Sequence, residues 1–396
     1  MGENGQRVLL VEPAAHVIDA AATAGLETWS VQSAAASVAY EVGVGHSTVR
    51  QLVVDTEAGD ALHSLLVNCG LTHGIEHILY FGGSEALHQA VERALVDISP
   101  RLAEALRRLG DPVTMRRILN ESGVSVVRAT SAQSVAAVCA LAGQVPLPLV
   151  VKAGGDPRVT VVRDRADLDE WSAGAQEGPY LVEEFLAGPE VSVQTLTCEG
   201  MHEVIGMTAV RSAAPAGAEL LYPAPLSDAD RAGVRATVRS LLDLVGYESG
   251  LAHTHVVLTE SGPRIASSRP RPSSHPITLL MRVATGRDPG HDILAALAGR
   301  SPREPDAVRF AALARLALPD GAPEPTAGLL DGIRASAHVH EVDIVGGATG
   351  SGGRAVQVVV DGSSPDEVAE RLTAVRRRWE AANTGTGAEP LREGTG

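Results

Sequence analysis

The first hundred residues alternate between short apolar runs and amphipathic segments with helical spacing. The opening RVLLVEPAAHVIDAAATAGLETWSV contains an apolar run, a turn at Pro13, a helical segment that ends near Gly25, and a second apolar run. RQLVVDTEAGDALHSLLVNC and GIEHILYFGGSEALHQAVERAL repeat this order. Because strands joined by helical crossovers lie parallel in one sheet, residues 1–105 are predicted to form a small doubly wound α/β domain.

This domain lacks the sequence signature of a dinucleotide site. No G-x-G-x-x-G motif follows the first apolar run, and Gly82 and Gly83 alone are more typical of a turn than of a phosphate loop. The chain has 396 residues, so two or three domains are expected.

From residue 106 onward, helical segments are interspersed with many short strands. DPVTMRRILNESGVSVVRAT predicts a helix that stops at Gly123, and SAQSVAAVCALAG predicts another. Glycine and proline turns then separate five predicted strands: LPLVVKAGG, VTVVRD, YLVEEFL, EVSVQTLTCEG and MHEVIGMTAV. SDADRAGVRATVRSLLDLVG predicts a helix with Ser227 as its N-cap and Gly246 as its stop. The middle region is therefore predicted to be α+β with a mostly antiparallel sheet.

Beyond residue 300 another small α/β piece is predicted from FAALARLALPDG, AVQVVVDG and SPDEVAERLTAVRRRWEAA. The tail has too little apolar content to order it. The chain is thus predicted to be a multidomain protein of α/β and α+β class. Its expected parts are an N-terminal α/β domain (1–105), a core (106–300), a C-terminal α/β appendage (301–382) and a disordered tail (383–396).

The composition excludes several classes of partner. A formal net charge of −15 argues against an extended nucleic-acid surface, and Lys152 is the only lysine in an otherwise arginine-based set of cations. No apolar run reaches the roughly 18 to 20 residues that span a bilayer, so we expect a cytoplasmic protein without a membrane partner. Cys69, Cys139 and Cys198 are odd in number and set among apolar residues, which predicts buried thiols and no cysteine-bound metal.

Five segments of the chain resemble the ATP-grasp superfamily in order and spacing: PLVVKAGG…VTVVRDRADL, YLVEEFLAGPEVSVQTL, YPAPLSDADRAGV, GLAHTHVVLTESGPRI and RPRPSSH. The resemblance runs from about residue 106 to 300 and is strongest to carboxylate-amine ligases of the L-amino-acid-ligase type. It implies a two-lobed core in which ATP lies between two antiparallel sheets, with VVKAGG and VEEFL on facing strands of one cleft. In such ligases one carboxylate substrate is phosphorylated, and an amine displaces the phosphate.

Four residues match nucleotide-binding positions of that family. Lys152 matches the phosphate-contacting lysine. Glu183 and Glu184 fall in the hinge segment whose backbone meets adenine, and Glu190 matches the residue that commonly binds ribose hydroxyls. The resemblance therefore implies that these four residues bind ATP. In the alternative interpretation, the three glutamates lie in solvent at the ends of strands and bind no ligand.

The phosphate-binding region departs from the family pattern. The helix that opens with Asp-Lys in similar ligases opens here with Asp111-Pro112, so a second cation is missing. The loop AGGDPR is shorter than usual, and Pro157 lacks an N–H that could contact phosphate. ATP binding is therefore expected to be weak.

The positions that bind metal in the family depart further from the family pattern. His255 stands where the family has a glutamate, and Ser267-Ser268-Arg269 stands where the family has Glu-x-Asn. An imidazole and a hydroxyl thus replace two carboxylates, and a guanidinium that cannot coordinate a cation replaces an amide. No magnesium site of the usual kind is expected, and no residue is assigned to metal.

Arg271, His255 and Arg269 are the predicted catalytic residues. Arg271 matches the family's arginine that contacts a substrate or phosphate anion. Arg269 either places permanent positive charge near the metal position or points to solvent, and His255 is expected to act as a base. The three are expected to line one pocket that selects a small anion. His253 and His275 are interpreted as structural, hydrogen-bonded residues.

Two functions follow from this pattern. The first is a ligase-like enzyme that forms an amide bond on a small amino-acid-like carboxylate in specialised metabolism, with impaired or non-classical use of Mg-ATP. The alternative is a degenerate ATP-grasp protein that serves as a binding or scaffold protein, or that performs ATP-independent chemistry on a small anionic molecule. In both cases the expected partner is a small anionic or amino-acid-like molecule, and a homodimer is compatible with the sequence.

Overall fold

The structure, a computed structural model, describes eleven stretches of the chain: residues 6–33, 49–75, 77–81, 85–153, 159–176, 178–213, 217–273, 275–300, 304–318, 324–346 and 354–384. Gly82 and Gly83, the predicted phosphate-loop residues 154–158, and residues 385–396 of the predicted tail lie outside these stretches. Within them, no helix combines the length and the apolar character that crossing a membrane would require.

The chain divides into two compact units. The first comprises residues 1–207, 226–275 and 289–304, and the second comprises residues 208–225, 276–288 and 305–396. The domain boundaries expected from the sequence, at residues 105, 300 and 382, stay predictions.

The first unit begins with a parallel four-stranded sheet, which confirms the predicted N-terminal architecture. Its strands are β1 (Arg7–Val11), β2 (Glu27–Gln32), β3 (Arg50–Val53) and β4 (His77–Tyr80), in the order β3-β2-β1-β4. The covering helices are α1 (Ala15–Thr23), α2 (Gly59–His73) and α3 (Glu85–Ile98). Alternate residues of β1 belong to two separate cores, one with α1 and one with α2 and α3. The sheet is therefore buried on both faces, as a doubly wound arrangement requires.

Two consecutive helices follow, α4 (Pro100–Gly110) and α5 (Pro112–Ser122). The Asp111 carboxylate accepts a hydrogen bond from the backbone N–H of Thr114 at 2.9 Å, and Pro112 occupies the first helical position. Gly123 ends α5 with φ of 75°, as predicted. Asp111-Pro112 thus has a complete local explanation as the start of a helix, because an acidic N-cap followed by proline is favourable there.

A small antiparallel sheet comes next, in the order β5-β8-β6-β7. Its strands are β5 (Ala129–Ala132), β6 (Leu149–Ala153), β7 (Val159–Val162) and β8 (Tyr180–Glu184), with helices α6 (Val135–Ala142) and α7 (Arg165–Gly174). Val151 and Val182 point into an apolar core with side chains of these helices. Since side chains alternate along a strand, Lys152 and Glu183 lie on the other face of the sheet.

The remaining strands of the first unit are β9 (Glu190–Cys198), the start of β10 (Met201–Ala213), β12 (Gly250–Thr259) and β13 (Gly262–Arg269). Their order is β13-β12-β9-β10, and β12 pairs antiparallel with both neighbours. Helix α8 (Asp228–Val245) has Ser227 as N-cap and ends at Gly246 with φ of 72°, which confirms both predictions. Helix α10 (Pro289–Leu297) also belongs to this unit.

The second unit contains an antiparallel sheet in the order β10-β11-β14-β16-β15, to which β10 contributes its last residues. The other strands are β11 (Gly217–Tyr222), β14 (Phe310–Ala317), β15 (Val339–Val345) and β16 (Ala355–Gly362). Helices α9 (His275–Thr285), α11 (Ala327–Arg334) and α12 (Pro365–Thr384) complete it. All three cysteines are free; Cys69 is buried as predicted, whereas Cys139 and Cys198 are only partly buried.

Candidate functional site

Three charged side chains form a buried cluster in the first unit. They are Arg116 of α5, Lys152 of β6 and Glu183 of β8, and their exposed fractions are 2%, 6% and 3%. The Glu183 carboxylate accepts hydrogen bonds from Arg116 Nε and from Lys152 Nζ. Because two cations share one carboxylate, the cluster retains positive charge.

Both cations of this cluster also bind backbone carbonyls of β13. Arg116 donates to Ile265 O at 2.6 Å, and Lys152 donates to Ala266 O at 2.6 Å. His255 pairs with Ser267 across the two strands while Val256 pairs with Ile265, so the register passes over Ala266. This bulge leaves the Ala266 carbonyl available to Lys152, since a bulged residue does not join the ladder. The cluster thereby ties the small sheet to β13.

The ionisation of Lys152 reflects this environment. Burial lowers the pKa of Lys152 below its ordinary value, the Glu183 carboxylate opposes that effect, and the positive charges of Arg116 and Arg269 lower it further. An ammonium group has three N–H donors, and Lys152 directs two of them to Glu183 and Ala266. Lys152, the predicted phosphate-contacting lysine, is thus already hydrogen-bonded to Glu183 and Ala266. The positive charge of Arg269 lies close enough to affect the ionisation of Lys152.

The other two glutamates of the predicted nucleotide site also contact protein groups. The Glu184 carboxylate accepts hydrogen bonds from the backbone N–H and from Nε of Arg128, both at 2.8 Å. Glu190 Oε1 lies 2.5 Å from Nδ1 of His255. The carboxylates of Glu184 and Glu190 are therefore already in contact with other residues of the protein. Phe185, which follows Glu184 in the predicted hinge, is 44% exposed.

The positions that correspond to the family's metal ligands lie side by side on β12 and β13. His255 is opposite Ser267, and Arg269 is opposite His253. Arg269 donates from NH1 to the backbone oxygen of Gly110 at 3.0 Å. Magnesium requires oxygen ligands, and this donor set consists of an imidazole, a hydroxyl and a guanidinium, so these residues do not fit a magnesium ion. In the stretches that the structure describes, no group of three or more His, Cys, Asp or Glu side chains could hold a metal ion.

A cavity of about 660 Å³ lies beside the end of β13, between Arg269, Arg271 and helices α2, α3 and α4. Its charged lining consists of four arginines and three acids: Arg93, Arg107, Arg269, Arg271, Glu92, Asp97 and Asp111. The structure thus brings Arg269 and Arg271 together in one cavity, whereas the sequence predicted a pocket shared by these two residues and His255. His255 is not among the described residues that line it.

His253 lies beside His255 on the same face of β12. Its ring centroid is 4.8 Å from that of His255, and its Nε2 lies 2.5 Å from the Ser192 hydroxyl, which accepts a hydrogen bond from Gln194 Nε2 at 2.9 Å. Burial, together with the nearby charges of His255 and Arg271, lowers the pKa of His253 to about 3. His253 is therefore neutral at physiological pH. This agrees with its interpretation as a hydrogen-bonded structural residue, whereas the His275 side chain lies outside the described residues.

Two features of the site were not found from the sequence. Arg116 was missed because it adjoins Arg117 in an arginine-rich chain, yet the helical period places it beside Met115 and Leu119 on the buried face of α5. That periodicity was the available signal, because an arginine on an apolar helix face requires a buried partner. The contribution of α2, α3 and α4 to the cavity carries no local signal, since it arises from contacts between distant segments.

Comparisons with known proteins show the fold. No family model matches the sequence. The uncharacterized protein y4rH of Sinorhizobium fredii is 27% identical over 195 residues, which cover 46% of this chain and 40% of that protein. The chain therefore matches less than half the length of that relative.

Solved structures match nearly the whole chain. An L-amino acid ligase from Bacillus licheniformis has a TM-score of 0.69 at 17% identity, with 96% of this chain and 98% of that chain covered. An N5-carboxyaminoimidazole synthase from Aspergillus clavatus, in complex with ADP and 5-aminoimidazole ribonucleotide, has a TM-score of 0.69 at 13% identity, with coverage of 96% and 99%. The chain therefore has the ATP-grasp fold of these structures.

Proposed function

We propose that this chain is a ligase-like ATP-grasp protein that binds a small amino-acid-like carboxylate through Arg269 and Arg271. The observation that carries the proposal is the cavity of about 660 Å³ that both arginines line. Its volume is in the range of small-molecule sites, about 300 to 1,000 Å³. The planar fork of a guanidinium suits a carboxylate, so two of them at one wall favour an acid.

The other charges of the cavity support an amino-acid-like ligand. Asp97 and Glu92 line the same cavity as the two arginines. A molecule that carries both a carboxylate and an amine can pair with both kinds of charge. The fold likeness to an L-amino acid ligase supports the same class of ligand. Amide-bond formation, a role in specialised metabolism and a cytoplasmic location are parts of this proposal.

Nucleotide use is proposed to be independent of magnesium. The cluster of Arg116, Lys152 and Glu183 keeps positive charge, and Arg269 lies near enough to lower the pKa of Lys152. These cations fit a phosphate group, whereas the residues at the metal positions do not fit magnesium. ATP, when bound, would supply a phosphoryl group. Lys152 and Arg269 would hold its phosphates in place of a divalent ion, and the charge of the guanidinium is permanent.

A binding protein without nucleotide chemistry is the second candidate. The contact between Glu190 and His255 favours it, because it engages a predicted ribose-binding carboxylate with a protein group. The same cavity would then hold its anionic ligand without turnover.

Calorimetric titration with succinate, L-glutamate and the uncharged analogue succinamide tests the carboxylate site. We expect both acids to bind at least about tenfold more tightly than succinamide, a difference of about 1.4 kcal/mol. Arg271→Ala should remove this preference, whereas Arg264→Ala, on β13 but outside the cavity lining, should retain it. Equal binding of succinamide, or an equal loss in both variants, would contradict the proposal.

A further inference from the structure

Glu190 and His255 form a carboxylate and imidazole pair on one face of the β9 and β12 strands. Glu190 opens β9, and His255 lies in β12 opposite Ser192, two residues further along β9. Glu190 Oε1 is 2.5 Å from His255 Nδ1, and the side chains are 38% and 32% exposed. The pair is therefore formed within the sheet and is still open to a small molecule.

The contact determines which ring nitrogen of His255 carries the proton. A carboxylate accepts hydrogen bonds, so it stabilises the tautomer with a proton on Nδ1 and leaves the lone pair on Nε2. When Nε2 takes a proton, the same carboxylate stabilises the resulting imidazolium, as in other bases that are oriented by an acid. We propose that His255 and Glu190 act as a general-base pair, in which His255 accepts a proton from an amine-bearing ligand that binds at the pair, outside the carboxylate cavity, and Glu190 positions the ring.

The described side chains around His255 other than Glu190 are uncharged or hydrogen-bonded elsewhere, so the ring is available to act as the base. The Ser192 hydroxyl, which is opposite His255 in the register, is committed to His253 and Gln194. His253 is 4.8 Å from the His255 ring and stays neutral because burial lowers its pKa to about 3. Glu190 is thus the charged group in direct contact with the ring, and Arg271 is the cation that acts on His253.

The proton transfer needs no further reactant. A proton leaves the ammonium group of this ligand and binds Nε2, while the Nδ1 proton stays hydrogen-bonded to Glu190. The ligand retains the electron pair of its N–H bond and becomes a nucleophile, and the imidazolium later releases the proton to water. The identity of the proton donor rests on the proposed function, since it assumes an amine-bearing ligand. The base itself can be tested without that ligand.

Ring nitrogen NMR and diethyl pyrocarbonate modification, followed by peptide mass spectrometry, test the pair in the full-length protein. In the wild type we expect the His255 proton on Nδ1. Glu190→Ala should shift the tautomer towards Nε2–H and slow His255 modification by about threefold or more, since the variant lacks the carboxylate that stabilises positive charge developing on the ring during acylation. Glu190→Gln should retain the Nδ1–H tautomer through its carbonyl oxygen but still slow the modification, because the charge is lost. Glu184→Ala, which removes a carboxylate that contacts Arg128 instead, should change neither readout.

An Nε2–H tautomer in the wild type would overturn the proposal, as would a modification rate that neither Glu190 variant alters. If Glu190→Ala fails to fold, the isosteric Glu190→Gln variant decides through the modification rate. Succinate titration distinguishes a failure of the general-base proposal from a failure of the proposed carboxylate site. Glu190→Gln should leave succinate affinity unchanged, because Glu190 is not among the described lining residues of the cavity. A loss of succinate binding in Glu190→Gln would show that the two sites are one and would overturn the separate role of the pair.

Discussion

Lys152 Nζ donates a hydrogen bond to the carbonyl oxygen of Ala266, 2.6 Å away, and so joins the small antiparallel sheet to β13. The bulge between β12 and β13 provides this acceptor, because the strand register passes over Ala266. Arg116 adds a second tie to the preceding carbonyl, that of Ile265. The only lysine of the chain therefore has a structural role in addition to any contact with a ligand.

Removal of Glu183 should destabilise the protein more than removal of Lys152. Glu183→Gln leaves two buried cations without a carboxylate, and breaking a buried pair in this way costs about 3 to 5 kcal/mol. Lys152→Met removes one cation but keeps the contact between Arg116 and Glu183, so a smaller loss of about 1 to 3 kcal/mol is expected. Urea unfolding of the wild type and both variants measures these free energies.

The double variant Glu183→Gln/Lys152→Met serves as the control for this pair. It should be less destabilised than the sum of the single variants, because the second change removes one of the two buried cations that Glu183→Gln leaves without a carboxylate. Additive losses, or a greater loss from Lys152→Met than from Glu183→Gln, would show that the cluster is not held by its shared carboxylate.

His253 should make the protein less stable in acid. Its pKa falls from an ordinary 6.5 to about 3 on folding, so between these values the unfolded chain binds a proton that the native protein does not. Stability should therefore fall as the pH decreases through this window, by at most about 1.4 kcal/mol per pH unit from this residue. In urea unfolding at several pH values, His253→Gln should show a shallower decline than the wild type. If the free energy of unfolding fell as steeply with decreasing pH in the variant as in the wild type, His253 would not be the cause of the acid sensitivity.

Arg271→Ala should weaken succinate binding more than Arg269→Ala does. Arg269 donates to the Gly110 carbonyl and contributes to the charge around Lys152, so part of its role is structural. Arg271 contacts His88 Nδ1 at 3.2 Å and lines the cavity, so its removal takes away a cation at the proposed ligand site. Calorimetry on both variants, with a thermal melt for each, separates a lost contact from a lost fold. If a fully folded Arg269→Ala protein lost more affinity for succinate than Arg271→Ala, Arg269 would be the main contact of the ligand and the prediction would be wrong.

Much of the fold could be predicted from local sequence patterns. The alternation around RVLLV predicted the parallel sheet, and Ser227, Gly123 and Gly246 marked helix ends correctly. These features depend on residues close together in the chain. The segments VVK and VEEFL were predicted to face each other across a cleft, but they are neighbouring strands of one sheet. Strand order arises from long-range pairing, so local periodicity does not determine it.

The site was less predictable than the fold for the same physical reason. Lys152, Glu183 and Arg271 were predicted because they match positions of a known family, and Arg269 because it departs from one. Their partners were not identified, because the bulge at Ala266 and the buried position of Arg116 follow from how separate elements pack. The contact of Glu190 with His255 likewise depends on the register of two strands that are far apart in sequence.

The most direct test of the central claim is a calorimetric titration with ATP, in EDTA and again in excess magnesium. His255, Ser267 and Arg269 stand at the positions where the sequence resemblance implied metal ligands, and their side chains do not fit magnesium, so magnesium should change the affinity of the protein for ATP by no more than about threefold. Weak binding that is the same in both buffers is the predicted result. An affinity that rises about a hundredfold with magnesium, equivalent to about 2.7 kcal/mol, would show that a metal site exists and would contradict the account.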